Sequence, residues 1–150
     1  YPSLGRKVAE VLRLLDTHHS IIVHGDGGLD EISLSGNTAV WEVVEGEVRE
    51  WQLRLEDTGL LRRSIEEIRG GDKAYNAETM RRLFQGEPGS VRDFVLLNSA
   101  GVLLVGGLVR DFREGIAIAG EIIDSGAPMG KLEALVALSQ QVGAEVDGRG

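Results

Sequence analysis

The stretch SIIVHGDGGLDE, residues 20–31, decides the fold class. Its β-branched start lacks the apolar–polar alternation of a half-exposed strand, which is typical of a strand covered on both faces, as in a parallel sheet. A glycine-rich acidic loop follows the strand directly. Before it, residues 4–15 repeat apolar side chains at helical spacing. Helix, buried strand and loop in this order predict an α/β fold with a mostly parallel central sheet flanked by helices.

Two further strand-like runs, residues 38–44 and 48–55, are joined by a turn that contains Gly46. Glycine can adopt the positive φ that a tight hairpin turn requires. The second run alternates apolar and polar side chains, so one of its faces is expected to meet solvent. We therefore predict an antiparallel hairpin excursion at the edge of the fold.

The rest of the chain is predicted to be helical. Residues 94–108 are apolar almost all round, which indicates a central core helix that needs partners to cover it. Ser90 is the expected cap of that helix, and Asp111 the expected cap of the next one. A last helix over residues 129–142 is predicted to stop at Gly143 and to be followed by a disordered tail, residues 144–150.

Composition and net charge limit the classes of function that the chain can have. A chain of 150 residues without a long linker is expected to fold as one domain. Its net charge of -8 argues against nucleic acid and anionic membranes as partners. With no cysteine, the chain has no disulfide, no thiolate nucleophile and no Cys-ligated metal, and a cytoplasmic location is expected. It also lacks the Walker A, GxGxxG, HExxH and GxSxG motifs.

Asp30 and Glu31 are the strongest candidates for chemistry. Two adjacent carboxylates in a glycine-bounded loop offer hard oxygen ligands that suit Mg²⁺, which commonly joins carboxylates to substrate phosphates. Ligands of α/β sheets gather beyond the carboxyl ends of strands, which is where this pair lies. Spacing alone also allows a solvated acidic turn.

Three other polar positions have a structural and a functional interpretation. His24 is either a general base or a strand-end residue whose ring binds a backbone carbonyl. The Gly70-Gly71-Asp72 segment with Asn76 is either an anion nest or a helix start capped by Asp72. Asn98, a polar residue on an apolar helix, is expected to tie a loop to the core. In each case the structural interpretation is favoured.

Three sequence blocks in this order resemble one family. They are VHGDGGLDEISL at residues 23–34, RGGDKAYNA at 69–77 and RDFVLLN at 92–98, and the stretch over residues 114–126 also fits. Their order and spacing resemble the C-terminal portion of the anthranilate phosphoribosyltransferases, over residues 1 to about 142. The fold implied by the resemblance is the phosphoribosyltransferase and nucleoside phosphorylase-like α/β domain.

The resemblance implies an enzyme of tryptophan biosynthesis. It would transfer phosphoribosyl from phosphoribosyl pyrophosphate to the amine of anthranilate and release pyrophosphate. Asp30 and Glu31 correspond to the family's Asp-Glu pair, which binds the Mg²⁺ ions that accompany the pyrophosphate, with Glu31 as the bridge between two ions. The resemblance assigns no catalytic or substrate-binding residue within these 150 positions.

The chain also departs from the family pattern. The family's phosphate loop, its Lys-His-Gly-Asn segment, the arginine that meets anthranilate and the helical domain through which it dimerises all lie N-terminal to the matched portion. Residues 1–150 are therefore expected to be the C-terminal part of the catalytic domain of a homodimeric enzyme, and to be inactive alone. Gly27-Gly28 stands where many relatives have a single glycine.

Two other functions fit the same residues. One is a related pentosyltransferase or nucleoside phosphorylase-like enzyme that uses another acceptor. The other is a non-catalytic module that binds magnesium or an anion.

Overall fold

The computed structural model describes residues 2–147 and shows an α/β arrangement. Its elements, in chain order, are α1 (Pro2–Leu14), β1 (His19–Gly25), β2 (Thr38–Val44), β3 (Glu47–Leu53), α2 (Leu55–Thr58), a 3₁₀ helix (Ile65–Ile68), α3 (Lys73–Phe84), α4 (Ser90–Val105), α5 (Phe112–Asp124) and α6 (Ala127–Asp147). Within residues 2–147, six α-helices and one small antiparallel sheet confirm the predicted α/β class.

The sheet has three strands in the order β1-β2-β3, and both pairings are antiparallel. The β2–β3 hairpin is confirmed, and its turn residues Glu45 and Gly46 both have positive φ. The parallel pairing that the β1 sequence indicated is corrected, because β1 runs antiparallel to β2 from His19 to Gly25.

Apolar and polar residues do not alternate along β1 because side chains on both of its faces contact other elements. Ile21 and Val23 point into the main core, while Ile22 points to the opposite face under α1. Both faces carry apolar contacts, although His19–His24 are each half-buried and of the seven strand residues Gly25 alone is fully buried. The sequence therefore correctly indicated contacts on both faces, but not the direction of the strand.

The main core lies between the sheet and α4. Leu97 and Ala100 of α4 are fully buried there, with Phe112 of α5 beside them. Trp51 of β3 meets Phe112 edge to face, with ring centroids 6.3 Å apart. The predicted central helix is thus confirmed, although Val102 on its outer side remains 73% exposed.

A smaller core lies on the opposite face of the sheet. Ala9 of α1 packs there against Trp41 and Val43 of β2, all three of them buried. The outward side of α1 keeps a row of exposed apolar side chains, including Leu4, Val8 and Val11. The sheet thus separates two apolar layers.

Helix ends follow the expected capping chemistry with one correction. The Asp72 and Asp111 side chains accept the backbone N–H of Tyr75 and Glu114, each at 2.9 Å, as predicted. The residue that caps α4 is Gly89, and Ser90 is instead the first helical residue.

The last helix is longer than predicted. α6 continues through Gly143 to Asp147, so the predicted stop is wrong. A single helical glycine costs only about 1 kcal/mol relative to alanine, which neighbouring helix formers offset. Four residues of the predicted disordered tail are therefore helical, and residues 148–150 lie outside the described part of the chain. None of the helices within residues 2–147 is both long enough and apolar enough to span a membrane.

Gly115 sets the distance between α4 and α5. A Cβ at this position would lie 2.7 Å from the Cβ and 2.9 Å from the Cα of Ala100. We expect Gly115→Ala to lower the free energy of unfolding by about 1–3 kcal/mol through overpacking, measured by urea denaturation.

The control is Gly120→Ala in the same helix, where the added methyl would meet its nearest neighbour at 3.9 Å. There the loss of chain entropy on replacing glycine should leave stability equal or slightly raised. Equal destabilisation by both substitutions would contradict a steric role for Gly115.

Candidate magnesium site

The loop after β1 starts with a closed turn. The N–H of Gly25 donates to the carbonyl of Leu29 at 2.9 Å, and the N–H of Gly28 donates to the carbonyl of Gly25 at 3.1 Å. Gly27 and Gly28 adopt φ of 82° and 80°, values that side chains disfavour. Gly27 and Gly28 stand where many relatives have a single glycine, and both belong to this turn, upstream of Asp30.

Gly25 also fixes the return of the loop. A Cβ on Gly25 would lie 2.5 Å from the carbonyl oxygen of Glu31 and 2.8 Å from the Cβ of Ser33. The backbone of Glu31 thus passes directly against the end of β1. This close approach places the acidic pair beyond the carboxyl end of the strand, as predicted.

Asn98 holds the residue that follows the pair. Its Oδ1 accepts the N–H of Ile32 at 2.9 Å, and its Nδ2 donates to the carbonyl of Ile32 at 3.0 Å. The same Nδ2 donates to the carbonyl of Phe94, also at 3.0 Å. The amide thereby satisfies both backbone groups of Ile32, which is buried. The prediction that Asn98 ties a loop to the core is confirmed.

The Asp30 and Glu31 carboxylates are exposed and unpaired. Within residues 2–147, neither carboxylate forms a hydrogen bond or an ion pair. By contrast, Asp26 in the same loop accepts the hydroxyl of Ser35 through its carboxylate at 3.4 Å and through its carbonyl at 3.2 Å. The backbone around Asp30 and Glu31 is fixed while their oxygens are free to bind a ligand.

The pair suits magnesium but does not enclose it. The part of the chain that the structure describes has no group of three or more His, Asp or Glu side chains that could hold a metal. Mg²⁺ is usually bound through one or two carboxylates, with waters and substrate phosphates as the other ligands. The donor set of Asp30 and Glu31 fits that mode of binding.

A groove of about 330 Å³ opens beside Glu31. It is lined by Leu29, Glu31, Ile65, Ile68, Arg69 and Phe94. The walls are mainly apolar, with one acidic and one basic side chain. The sequence analysis did not place the 3₁₀ helix here, although the Ser64-x-x-Glu67 capping box was a readable signal of its start.

Glu67 fastens this 3₁₀ helix to α4. The hydroxyl of Ser90 donates to its Oε2 at 2.5 Å, and the N–H of Ser64 donates to its Oε1 at 3.0 Å. The bond from Ser90, followed by the bond from Ser64, stabilises the charged carboxylate and lowers the pKa of Glu67 below its ordinary value of 4.5. The groove wall is thus held in part by one ionised side chain.

The remaining candidates have structural roles or none. Asn76 fills the Gly70-Gly71 nest itself, since its Oδ1 accepts the N–H of Gly71 at 2.8 Å. His24 lies half-buried on β1, and its ring forms no hydrogen bond within residues 2–147, so the expected bond to a backbone carbonyl is not observed.

Removing the Asn98 amide should loosen the acidic loop. We expect Asn98→Ala to lower the free energy of unfolding by about 2–3 kcal/mol, because the backbone groups of buried Ile32 lose their partners. Urea denaturation measures the loss, with Ser99→Ala on the same helix as the control. An Asn98→Ala chain as stable as this control would contradict the role of the amide.

Because the pKa of Glu67 is lowered in the folded state, its contribution to the free energy of unfolding depends on pH. Stability that the carboxylate supplies is present above its unfolded pKa and is lost as pH falls through its lower folded pKa. Glu67→Gln should therefore be less stable than the parent at pH 7, and the difference should shrink as pH falls from about 5 to about 3.

Urea denaturation at each pH measures this difference, and Glu133→Gln is the control at a carboxylate without a hydrogen bond within the described residues. A Glu67→Gln difference that stays constant with pH would contradict the assignment.

Comparison with known proteins places this geometry in a family. Residues 1–129 match the family model described as "Glycosyl transferase family, a/b domain". The chain is 44% identical over 132 residues to the anthranilate phosphoribosyltransferase of Rhodopseudomonas palustris (strain HaA2), a match of 88% of this chain and 39% of that protein. The Mesorhizobium japonicum enzyme of the same name is also 44% identical over 132 residues.

Solved structures agree with this match. The crystal structure of anthranilate phosphoribosyltransferase from Thermus thermophilus superposes with a TM-score of 0.81 at 34% identity, over 91% of this chain and 40% of that one. The Saccharomyces cerevisiae enzyme in complex with PRPP and Mg gives 0.78 at 26% identity, over 87% and 38%. The resemblance seen in the three sequence blocks is confirmed, and the chain belongs to the glycosyl transferase family, as part of its a/b domain.

Proposed function

We propose that this chain supplies the magnesium-binding part of an anthranilate phosphoribosyltransferase. The observation that carries the proposal is the unpaired Asp30–Glu31 carboxylates, held on a fixed backbone beyond the carboxyl end of β1. Relatives that share this fold bear the name of that enzyme, and one of them was solved with PRPP and Mg. These names favour anthranilate over another acceptor.

The chain spans about two-fifths of the length of the relatives that it matches, 39% of the Rhodopseudomonas palustris protein and 40% of the Thermus thermophilus one. The transfer of phosphoribosyl to anthranilate is therefore proposed for the complete enzyme. The placement of residues 1–150 in the C-terminal part of its catalytic domain, its assembly as a homodimer and its cytoplasmic location belong to the same proposal.

In this mechanism the acidic pair positions the leaving group. Asp30 and Glu31 would hold Mg²⁺ through their free oxygens, with Glu31 the bridging ligand if two ions bind. When bound there, Mg²⁺ would supply charge stabilisation to the pyrophosphate leaving group. The Asn98 amide and the glycine turn fix the backbone on either side of the pair, so the backbone need not reorganise when the carboxylates bind the ion.

The groove beside Glu31 adds a partly apolar wall to the site. Ile65, Ile68 and Phe94 line it next to Glu31, whose own side chain remains exposed. Arg69, at the same groove, has its Nε and Nη2 bound to Glu66 at 2.7 and 2.6 Å, so its guanidinium is held in position.

Neutralising the pair tests magnesium binding directly. In this chain, Asp30→Asn combined with Glu31→Gln should weaken Mg²⁺ binding about tenfold or more in calorimetric titrations, because both charged ligands are lost. The melting temperature should stay nearly unchanged, since neither carboxylate has a partner within the described residues.

The matched control is Glu56→Gln with Asp57→Asn, a second adjacent acidic pair that lies on α2. Equal Mg²⁺ affinity in the parent chain and the Asp30–Glu31 variant would exclude this pair as the site. In the complete enzyme the same neutralisation should lower turnover by about 100-fold. Activity equal to the parent at every Mg²⁺ concentration would refute the proposed role.

A further inference from the structure

A second cavity shares no residue with the groove beside Glu31. Its volume is about 310 Å³, and it lies between α3, the connection that follows α3 and the start of α4. Tyr75, Thr79, Arg82 and Arg92 are among the polar side chains that line it. The chain has a net charge of -8, so two arginines at one cavity make this region a local candidate for binding an anion.

Both arginines carry a buried N–H group that has no hydrogen-bond partner within residues 2–147. These groups are Nε of Arg82 and Nη1 of Arg92. In the described part of the chain, Nε of Arg63 is the third and last buried side-chain atom of this kind, so two of the three lie at this cavity. Buried polar groups are nearly always hydrogen-bonded, and an unpaired one in a native structure indicates an ion or a water as its partner.

The remaining nitrogens fix the two guanidinium groups without using all of their donors. Nη2 of Arg92 contacts both carboxylate oxygens of Asp124 on α5, at 2.8 and 2.9 Å, and the Arg92 side chain is only 14% exposed. Nη2 of Arg82 donates to the hydroxyl of Thr79 at 3.4 Å, and its Nη1 lies 3.7 Å from Glu87. Arg92 is therefore held in position, and Arg82 has donors left for a ligand.

We propose that this cavity binds a phosphate group between Arg82 and Arg92. Guanidinium groups bind phosphate through charge-assisted N–H···O bonds, often two from one arginine. Donors from two arginines need more acceptor oxygens than the two of a carboxylate, and a phosphate group supplies them. Tyr75 and Thr79, which line the same cavity, carry hydroxyl donors for the oxygens that the arginines leave free.

Two carboxylates also line the cavity and limit its affinity for an anion. Both oxygens of Glu67 already accept hydrogen bonds, from Ser90 and Ser64. The Glu87 side chain forms no hydrogen bond within the described residues and competes with an anion for Arg82. A carboxylate repels an anion most where its charge is not neutralised, so Glu87 is the group that weakens binding. We therefore expect a dissociation constant in the millimolar range.

This phosphate site is independent of the proposed function, because it contains neither Asp30 nor Glu31 and needs no metal. Free phosphate and a phosphate monoester offer the same kind of oxygen to the arginines, so both are titrated, as inorganic phosphate and as methyl phosphate. Equal binding of the two would identify a monoester as the class of ligand. Binding of inorganic phosphate alone would identify the free ion.

The test is a titration of this chain with inorganic phosphate, without Mg²⁺ and at constant ionic strength, followed by NMR. We expect saturable shifts of the amide signals of residues 79–92. Arg82→Gln should weaken binding about tenfold, because charge-assisted donors are lost. The matched control is Arg81→Gln, which should leave binding unchanged. Arg81 is the neighbouring arginine on α3, but it lines a different groove, between α3 and α6.

A second variant has the opposite expected effect and keeps the test decisive if Arg82→Gln does not fold. Glu87→Gln should tighten phosphate binding about threefold, because it removes the carboxylate that competes for Arg82. Its control is Glu78→Gln on α3, outside the cavity, which should leave binding unchanged. Absence of saturation up to about 50 mM phosphate, equal weakening by Arg81→Gln and Arg82→Gln, or a Glu87→Gln affinity equal to that of the parent would each overturn the phosphate site.

Discussion

The amide of Asn98 is the interaction on which the proposed site depends. A single side chain on the central helix satisfies both backbone groups of Ile32 and reaches back to Phe94 one turn earlier on its own helix. The acidic loop is therefore fastened to α4, a helix of the main core, by a polar contact with defined geometry. Hydrophobic packing fixes where α4 lies. The amide then ties the backbone of Ile32 to α4, and this places the backbone of the preceding residue, Glu31.

This arrangement explains how two free carboxylates can lie on a fixed backbone. The strand end, the glycine turn and the amide restrain the chain before and after the pair, while the carboxylates themselves have no partner within residues 2–147. A site of this kind has its backbone entropy removed on folding rather than on ligand binding. Its cost is the repulsion between two adjacent negative charges, which a bound cation relieves.

Much of the fold was predictable from local chemistry, and so was the position of the acidic pair beyond the end of β1, while its metal-binding role remains a proposal. The caps Asp72 and Asp111 and the turn at Gly46 depend on interactions within a few residues. The direction of β1 was not predictable in this way, because a run of β-branched residues reports burial on both faces and carries no information on which strand lies beside it. The groove beside Glu31 was also missed, since it joins side chains more than sixty positions apart, from Leu29 to Phe94. Contacts at that separation depend on how α4 and the 3₁₀ helix pack, which no local pattern encodes.

The two tryptophans lie on opposite sides of the sheet. Trp41 is buried under α1, whereas Trp51 meets Phe112 in the main core and donates its indole N–H to Glu42 at 2.9 Å. Each indole is thus an intrinsic optical reporter for one layer of the protein. Fluorescence from chains that retain one tryptophan at a time would distinguish detachment of α1 from melting of the main core, without any added label.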